Sequence, residues 1–214
     1  MAFVTQFVDR SPTLAGTAQE AETVDPDAPL VVRWQAGDEA AFAELVRRHE
    51  RRVFGLLVRM LGSASEAEDA AQDAFLNLHR HGRRFRREAR FSTFVYRVAV
   101  NAALNRRRGL GRRRAHLRTL EQRQAAGHHL PEGPRGPEEA TYGEQVRERV
   151  QRAIETLSAP LRAPLVLYDL EGLSYGEIAD VLQVAEGTVK SRIHRARHAL
   201  RERLRDLVEG EAAR

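Results

Sequence analysis

Residues 173–200 read LSYGEIADVLQVAEGTVKSRIHRARHAL, and the fold class follows from them. Ser174 with Glu177 three residues on makes a capping box, which opens a short helix ending near Leu182. Gln183 to Gly187 make a tight turn, and a longer helix starts near Thr188 and runs to about Leu207. At ~100° per residue, Ile193, Ala196 and Leu200 fall within about 40° of Val189, and Leu204 and Leu207 continue that stripe. His194, His198, Ser191 and Arg195 fall at about 140–240°, on the opposite face, flanked by Lys190 and Arg192. A short helix, a small turn and a longer basic helix form the helix-turn-helix pattern. The apolar stripe docks on the domain, so the polar face is presented outward and fits a DNA major groove. Arg195 can fork onto guanine O6 and N7, Ser191 can meet a base or a phosphate, and the backbone N–H groups near Gly187 and Thr188 can face a phosphate. A solvated basic face on an ordinary bundle helix is the alternative. Cap, turn length and placement of the cations together favour DNA. Beyond it, Arg197, Arg201, Arg203 and Arg205 alternate with Glu202 and Asp206, as helix-surface ion pairs do.

Upstream of this motif the chain stays helical. Val146, Val150, Ala153, Ile154 and Leu157 form one stripe, broken at Ser158-Ala159-Pro160. A helix from Leu161 to Leu170 follows, closed by Gly172. Residues 109–140 contain GRRRAH and GHHLPEGPRGPEE, rich in Gly and Pro and without an apolar period, and read as a linker. Before it, a short helix over Ala28–Gln35 ends at Gly37. Asp38 caps a second helix with Phe42, Leu45, Val46, His49, Val53, Leu57 and Met60 inward. Ser65 and Glu68 are expected to box the start of a third helix with Ala67, Ala71, Ala74, Phe75 and Leu78 inward, and Ser92 to cap a fourth with Phe94, Val95, Val98 and Ala102 inward. No alternating run is long enough for a strand. The expectation is an all-α chain. Two small helical domains, 27–108 and 141–208, are joined by a flexible linker, 109–140. Residues 1–26 form a flexible acidic tail and 209–214 a short one.

Composition bounds the chemistry. The 214 residues carry 35 basic and 30 acidic side chains, a net charge of +5. With no cysteine, disulfide scaffolds, thiolate zinc sites and cysteine nucleophiles are excluded. No secretory signal or ~20-residue apolar run is visible, so a cytoplasmic protein without membrane insertion is expected. Lys190 is the only lysine. Placement of the arginines says more than their number. Between His79 and Arg118 every charged residue but Glu88 and the histidines is arginine. Such a segment is costly unless phosphates neutralise it. Phe85, Phe91, Phe94 and Tyr96 are interleaved, as base stacking requires, although core packing explains Phe91 and Phe94 as well. Arg97, Asn101, Asn105 and Arg108 share one helix face, and Asn can pair with base edges.

On the third helix, Asp69, Gln72, Asp73 and Leu76 share a face away from the alanine stripe. A solvated face and a docking strip for a basic helical partner both fit. A catalytic carboxylate pair does not, for want of a third ligand or a pocket. His128 and His129 lie in the linker. No metal-ligand cluster and no nucleophile–base spacing is present, so neither an enzyme nor a cofactor is expected.

The segments GDEAAFAELVRRH, SEAEDAAQDAFLNLHRH, FRREARFSTFVYRVAVNAALNRRR and LSAPLRAPLVLYDLEGLSYGEIADVLQVAEGTVKSRIHRARHAL, in that order around a linker, resemble the bacterial RNA polymerase sigma factors of the extracytoplasmic-function class. The resemblance implies a specificity subunit that binds core RNA polymerase and directs initiation at promoters. Asp69, Gln72, Asp73 and Leu76 would dock the clamp helices of the largest subunit. Arg83, Arg84, Phe85, Arg86, Arg87, Arg90, Arg97, Asn101 and Asn105 would melt the downstream promoter element and capture a flipped base. The linker would thread the active-site cleft. The second domain would sit on the β flap and read the upstream element through Thr188, Lys190, Ser191, His194, Arg195 and His198. Whether an anti-sigma factor binds as well stays open. Phe94 stands where the family often has tryptophan, and Asn105 where it often has aspartate. A stand-alone helix-turn-helix repressor or activator is the competing function.

Overall fold

The computed structural model describes residues 25–86, 89–123 and 142–205, with backbone alone for 84, 111–123 and 142–144. Residues 1–24 of the acidic tail, Arg87 and Glu88, residues 124–141 with His128 and His129, and residues 206–214 lie outside the described residues, whereas Asp25 and Pro26, placed above in the tail, are described. The described ones are all-helical. Helix α1 spans Ala28–Gln35, α2 Glu39–Leu61 and α3 Ala64–His81, followed by a 3₁₀ turn at Gly82–Arg84. Helix α4 spans Phe91–Arg123, α5 Tyr142–Glu155, α6 Ala159–Asp169, α7 Tyr175–Leu182 and α8 Glu186–Arg203.

Local signals explain most ends. The Asp38 side chain accepts from the Ala41 amide and opens α2. Gly62 closes it at φ 79°, where a side chain would be strained. The Ser174–Glu177 box forms with both bonds. Helix α3 starts two residues earlier than its sequence pattern suggested. Ser63 is the cap and accepts from the Glu66 amide. S-x-x-E occurs in both registers here, and Glu66 turns its carboxylate to Arg106 instead of closing a box. Ser92 does not cap α4 either. The Asp25 carboxylate, far away in sequence, accepts from the Phe91 amide at 2.7 Å and fixes the helix start there.

The helix α4 also does not stop at Arg108. It continues to Arg123, through residues assigned above to the linker. Arg, Leu and Ala propagate a nucleated helix well enough to carry Gly109 and Gly111 at about 1 kcal/mol each.

In the first domain α2, α3 and α4 pack against one another, with α1 laid on α2. Trp34, fully buried, packs on Phe42 at 4.8 Å and edge-on to Phe91 at 6.3 Å. A Cβ on Gly82 would lie 2.5 Å from the Trp34 ring, so only glycine fits. His49, on the apolar face of α2, is buried and meets the buried Asp27 carboxylate at 2.7 Å. In the second domain α8 packs on α6 and α7 through Val189, Ile193, Ala196 and Leu200, all buried.

The two domains also pack on each other, α4 against α7 and α2 against α5 and α6. At this seam Arg162, only 2 % exposed, donates to the carbonyls of Met60 at 2.7 Å, Leu157 at 3.1 Å and Glu155. One guanidinium therefore serves orphan carbonyls at the C-terminal ends of both α2 and α5, where helix dipoles favour a cation. Gln151 adds a bond to the Val58 carbonyl at 3.4 Å.

Candidate nucleic-acid interface

On α8, Lys190, Ser191, His194, Arg195 and His198 are exposed and Thr188 half-exposed, opposite the buried stripe. Gln183 takes the left-handed conformation at φ 53° and makes the turn from α7. Lys190 pairs with Glu186 at 2.9 Å and sits 5.4 Å from the Tyr175 ring centre. Arg195 folds back on the Ser191 carbonyl at 3.4 Å, and the Ser191 hydroxyl donates to the Thr188 carbonyl at 3.0 Å. These are exposed, exchangeable contacts that a phosphate or a base edge can replace. The helix begins at Glu186, two residues before the expected start. The Thr188 amide already donates to Ala185 at 2.9 Å, so the amides left for an anion are those nearer Glu186 and Gly187. Arg197, on the inward flank, forms an ion pair with Asp169, whose side chain is 2 % exposed.

In the first domain the basic loop is tied down at its start. The Gln35 amide donates to the carbonyls of Arg83 at 3.2 Å and Phe85 at 2.8 Å. Arg83 pairs with Glu39, which also meets His79 at 2.8 Å. The His79 bond, with the Arg83 charge behind it, holds the Glu39 carboxyl below its ordinary value. Arg83 thus has a carboxylate partner within the chain, and Arg83, Arg86 and Arg90 are all exposed. Phe91 is core. Phe94 is half-buried and stacks on Phe85 at 4.9 Å with an 18° tilt, and the Arg97 guanidinium lies 5.2 Å from the Phe94 ring centre. Phe85, Phe94, Arg97, Arg86 and His81 line a cavity of about 640 Å³, roomy enough for a base. Asp180 and Gln183 of the second domain line it too. Asn101 and Asn105 are exposed on the same helix, Arg108 donating to Asn105 at 3.2 Å.

On α3, Asp69, Gln72 and Asp73 are exposed and Leu76 is 52 % exposed. Only Val32 joins it among large exposed apolar side chains of the described residues. Arg106 of α4 pairs with both Glu66 and Asp69. The Glu66 bond first, then the charges of Glu66, Asp69 and Asp73, raise the Arg106 guanidinium above its ordinary value, so it stays a cation. Arg106 joins the acidic strip of α3 physically to the basic helix. In the sequence it is hidden among its arginine neighbours. Arg162 and Glu171 were missed likewise, because their partners are distant in the chain and no local pattern marks them; Tyr96, grouped above with the stacking aromatics, is buried instead and donates its hydroxyl to Glu171.

Two helical domains, one a helix-turn-helix and the other a basic, aromatic-lined helix beside an acidic strip, define a DNA-binding protein of the sigma type. The family model described as Sigma-70 region 2 matches residues 45–113, and that of Sigma-70, region 4 matches residues 147–200. The RNA polymerase sigma-H factor of Pseudomonas aeruginosa is 38% identical over 188 residues, 87% of this chain and 97% of that protein. The ECF RNA polymerase sigma-E factor of Escherichia coli is 36% identical over 184 residues, 85% and 96% of the two. The chain belongs to the sigma-70 family, within its extracytoplasmic-function class. The fold agrees with the sigma factor RpoE solved with the anti-sigma factor NepR from Bartonella quintana, with a TM-score of 0.60 and 24% identity over 77% of this chain and 96% of that one. It agrees equally with CnrH solved with the cytosolic domain of CnrY, at 0.61 and 22% over 84% and 97%. Its function is to direct RNA polymerase to promoters, not to act as a stand-alone regulator. No helix among the described residues is long and apolar enough to cross a membrane.

Proposed function

We propose a division of labour for promoter initiation. Helix α8 reads the upstream element through Lys190, Ser191, His194, Arg195 and His198, with Thr188 at the phosphates. Arg86, Arg87, Arg90, Arg97, Asn101 and Asn105, with Arg83 and Arg84 beside the loop, hold the melted downstream strand. The Phe85–Phe94 stack with Arg97 over it is the platform for an unstacked base. Asp69, Gln72, Asp73 and Leu76 dock core polymerase on its clamp helices, and the second domain rests on the β flap. The protein works as a non-enzymatic cytoplasmic subunit in two domains, 27–108 and 141–208, with the intervening segment in the active-site cleft. An anti-sigma factor, the partner class seen with both solved relatives, is its proposed regulator.

The observation that carries this reading is the split face of α8. Its four inward residues are buried, while five donor-bearing side chains on the other face are exposed. The test is run-off transcription with core enzyme on a library of genomic promoter fragments. Specific start sites that vanish with Arg195→Ala support the assignment, and no specific initiation on any template overturns it.

A further inference from the structure

The Phe85–Phe94 stack draws its two rings from different elements. Phe85 directly follows the 3₁₀ turn Gly82–Arg84, and Phe94 stands in the first turn of α4. Between them Arg86, Ala89 and Arg90 are exposed. Such a platform keeps its register only if both of its roots are fixed, because any backbone left loose must be ordered at the moment of capture.

Gln35, the last residue of α1, fixes the first root. Its Nε2 donates to the Arg83 carbonyl at 3.2 Å and to the Phe85 carbonyl at 2.8 Å. A side-chain amide nitrogen has two N–H donors, and both are engaged here. The packing of α1 delivers Gln35 to this place. Trp34, one residue before it, is fully buried against Gly82, where a Cβ would lie 2.5 Å from the ring. The Phe85 amide donates to the Gly82 carbonyl at 2.8 Å and closes the turn.

Asp25 fixes the second root. Its Oδ2 accepts from the Phe91 amide at 2.7 Å, and its Oδ1 from the Asp27 amide at 3.0 Å. One carboxylate thereby ties the start of α4 to the start of α1, at a helix end whose dipole favours an anion. The segment is itself anchored. Asp27 is buried, and its carboxylate meets His49 at 2.7 Å and Arg48 at 3.2 Å, both on α2. Neither Gln35 nor Asp25 lines the cavity that Phe85, Phe94 and Arg97 share.

We propose that Gln35 and Asp25 are positioning residues for strand capture: from α1 and the segment before it they clamp both ends of the basic loop and hold the Phe85–Phe94 platform ready for an unstacked base. The role rests on the assignment of that platform to the melted strand. With both clamps made, the platform is formed before DNA arrives, and promoter opening includes no ordering step. Without them the upstream-reading face of α8 is untouched, and opening slows.

Gln35→Met keeps the length of the side chain and removes both donors without adding a charge. Asp25→Ala removes the cap, and Asp25→Asn keeps one acceptor oxygen. Each is made in the full-length chain. Amide hydrogen exchange, followed by mass spectrometry, reads the clamps. Gln35→Met should speed exchange about tenfold in peptides covering Phe85, and Asp25→Ala in those covering Phe91 to Phe94, with the peptides of α8 unchanged. Stopped-flow promoter opening with core polymerase, over a range of holoenzyme concentrations, separates initial binding from opening. Gln35→Met and Asp25→Ala should each lower the saturating opening rate about tenfold, as ordering one more backbone residue does, and leave the half-saturating concentration unaltered. Asp25→Asn should recover most of that rate. A role in stability alone would do the reverse: fewer folded molecules raise the apparent half-saturating concentration and leave the saturating rate unaltered.

Unchanged exchange at both roots overturns the clamp. Faster exchange with an unaltered saturating rate overturns the positioning role. Phe94→Ala, which removes a platform ring itself, tells the two levels apart. If it too opens promoters at the normal saturating rate, the capture surface is misassigned and the positioning role falls with it. If Phe94→Ala is slow while Gln35→Met and Asp25→Ala are normal, the positioning role alone falls and the proposed function stands.

Discussion

Asp69→Arg separates docking from folding, because the structure gives Asp69 a partner inside the chain. Its side chain is half exposed and pairs with Arg106, which Glu66 also holds. An exposed pair of this kind is worth about 0–1 kcal/mol, so removing it should barely affect folding. The reversed charge would stand beside Arg106 and, in the complex, beside a cationic partner helix. Juxtaposed like charges at an interface cost several kcal/mol, and each 1.4 kcal/mol is tenfold in Kd, so core affinity should fall at least about a hundredfold. Titration of labelled protein with core polymerase measures that loss. Unfolding followed by Trp34, the single tryptophan and fully buried in the first domain, measures stability of the same variant. Arg106→Ala is the necessary control. If Asp69 served only to hold Arg106, both variants would lose core affinity equally. Equal losses, or unchanged core binding by Asp69→Arg, would refute the docking reasoning.

Arg195→Ala should cost ~1–3 kcal/mol of discrimination at one base pair in promoter-variant transcription; a uniform loss on all sequences would mark a phosphate contact instead. Phe94→Ala should slow promoter opening, read by permanganate reactivity of unpaired thymines, while Phe94→Trp, which keeps the stacking platform, should not. Gly62→Ala should destabilise by about 1–3 kcal/mol in denaturant melts, because φ is 79° and the new Cβ would lie 2.7 Å from Glu155. Ile193→Ala, at a side chain 2 % exposed, should cost about 2–5 kcal/mol and lower the melting temperature of the second domain.

What the sequence discloses and what it hides divides by range. The inward stripe of α8 and the Ser174–Glu177 box follow from residues three and four apart, and both stand where their pattern put them. The cap of α3 was off because two overlapping S-x-x-E frames compete, and the choice falls to Arg106, a residue on another helix. The start of α4 was off for the same reason, since its cap is Asp25. Candidate residues on α8 and the strip on α3 are exposed as periodicity demands, whereas Arg83 is engaged by Glu39 through a contact no local rule anticipates. The seam is the least legible part. Arg162 and Met60 are 102 residues apart, and neither stands out in its own helix.

The shared arginine also limits how modular this protein can be. Helices α2 and α5 both end on Arg162, so the last turn of α2, in the first domain, is finished by a side chain of the second. A chimera that grafts a foreign promoter-reading domain onto this first domain imports whatever stands at that position. Without an arginine there, the Met60 carbonyl must find water. Recombining domains to retarget transcription would therefore change the resting shape of the chain together with its DNA preference.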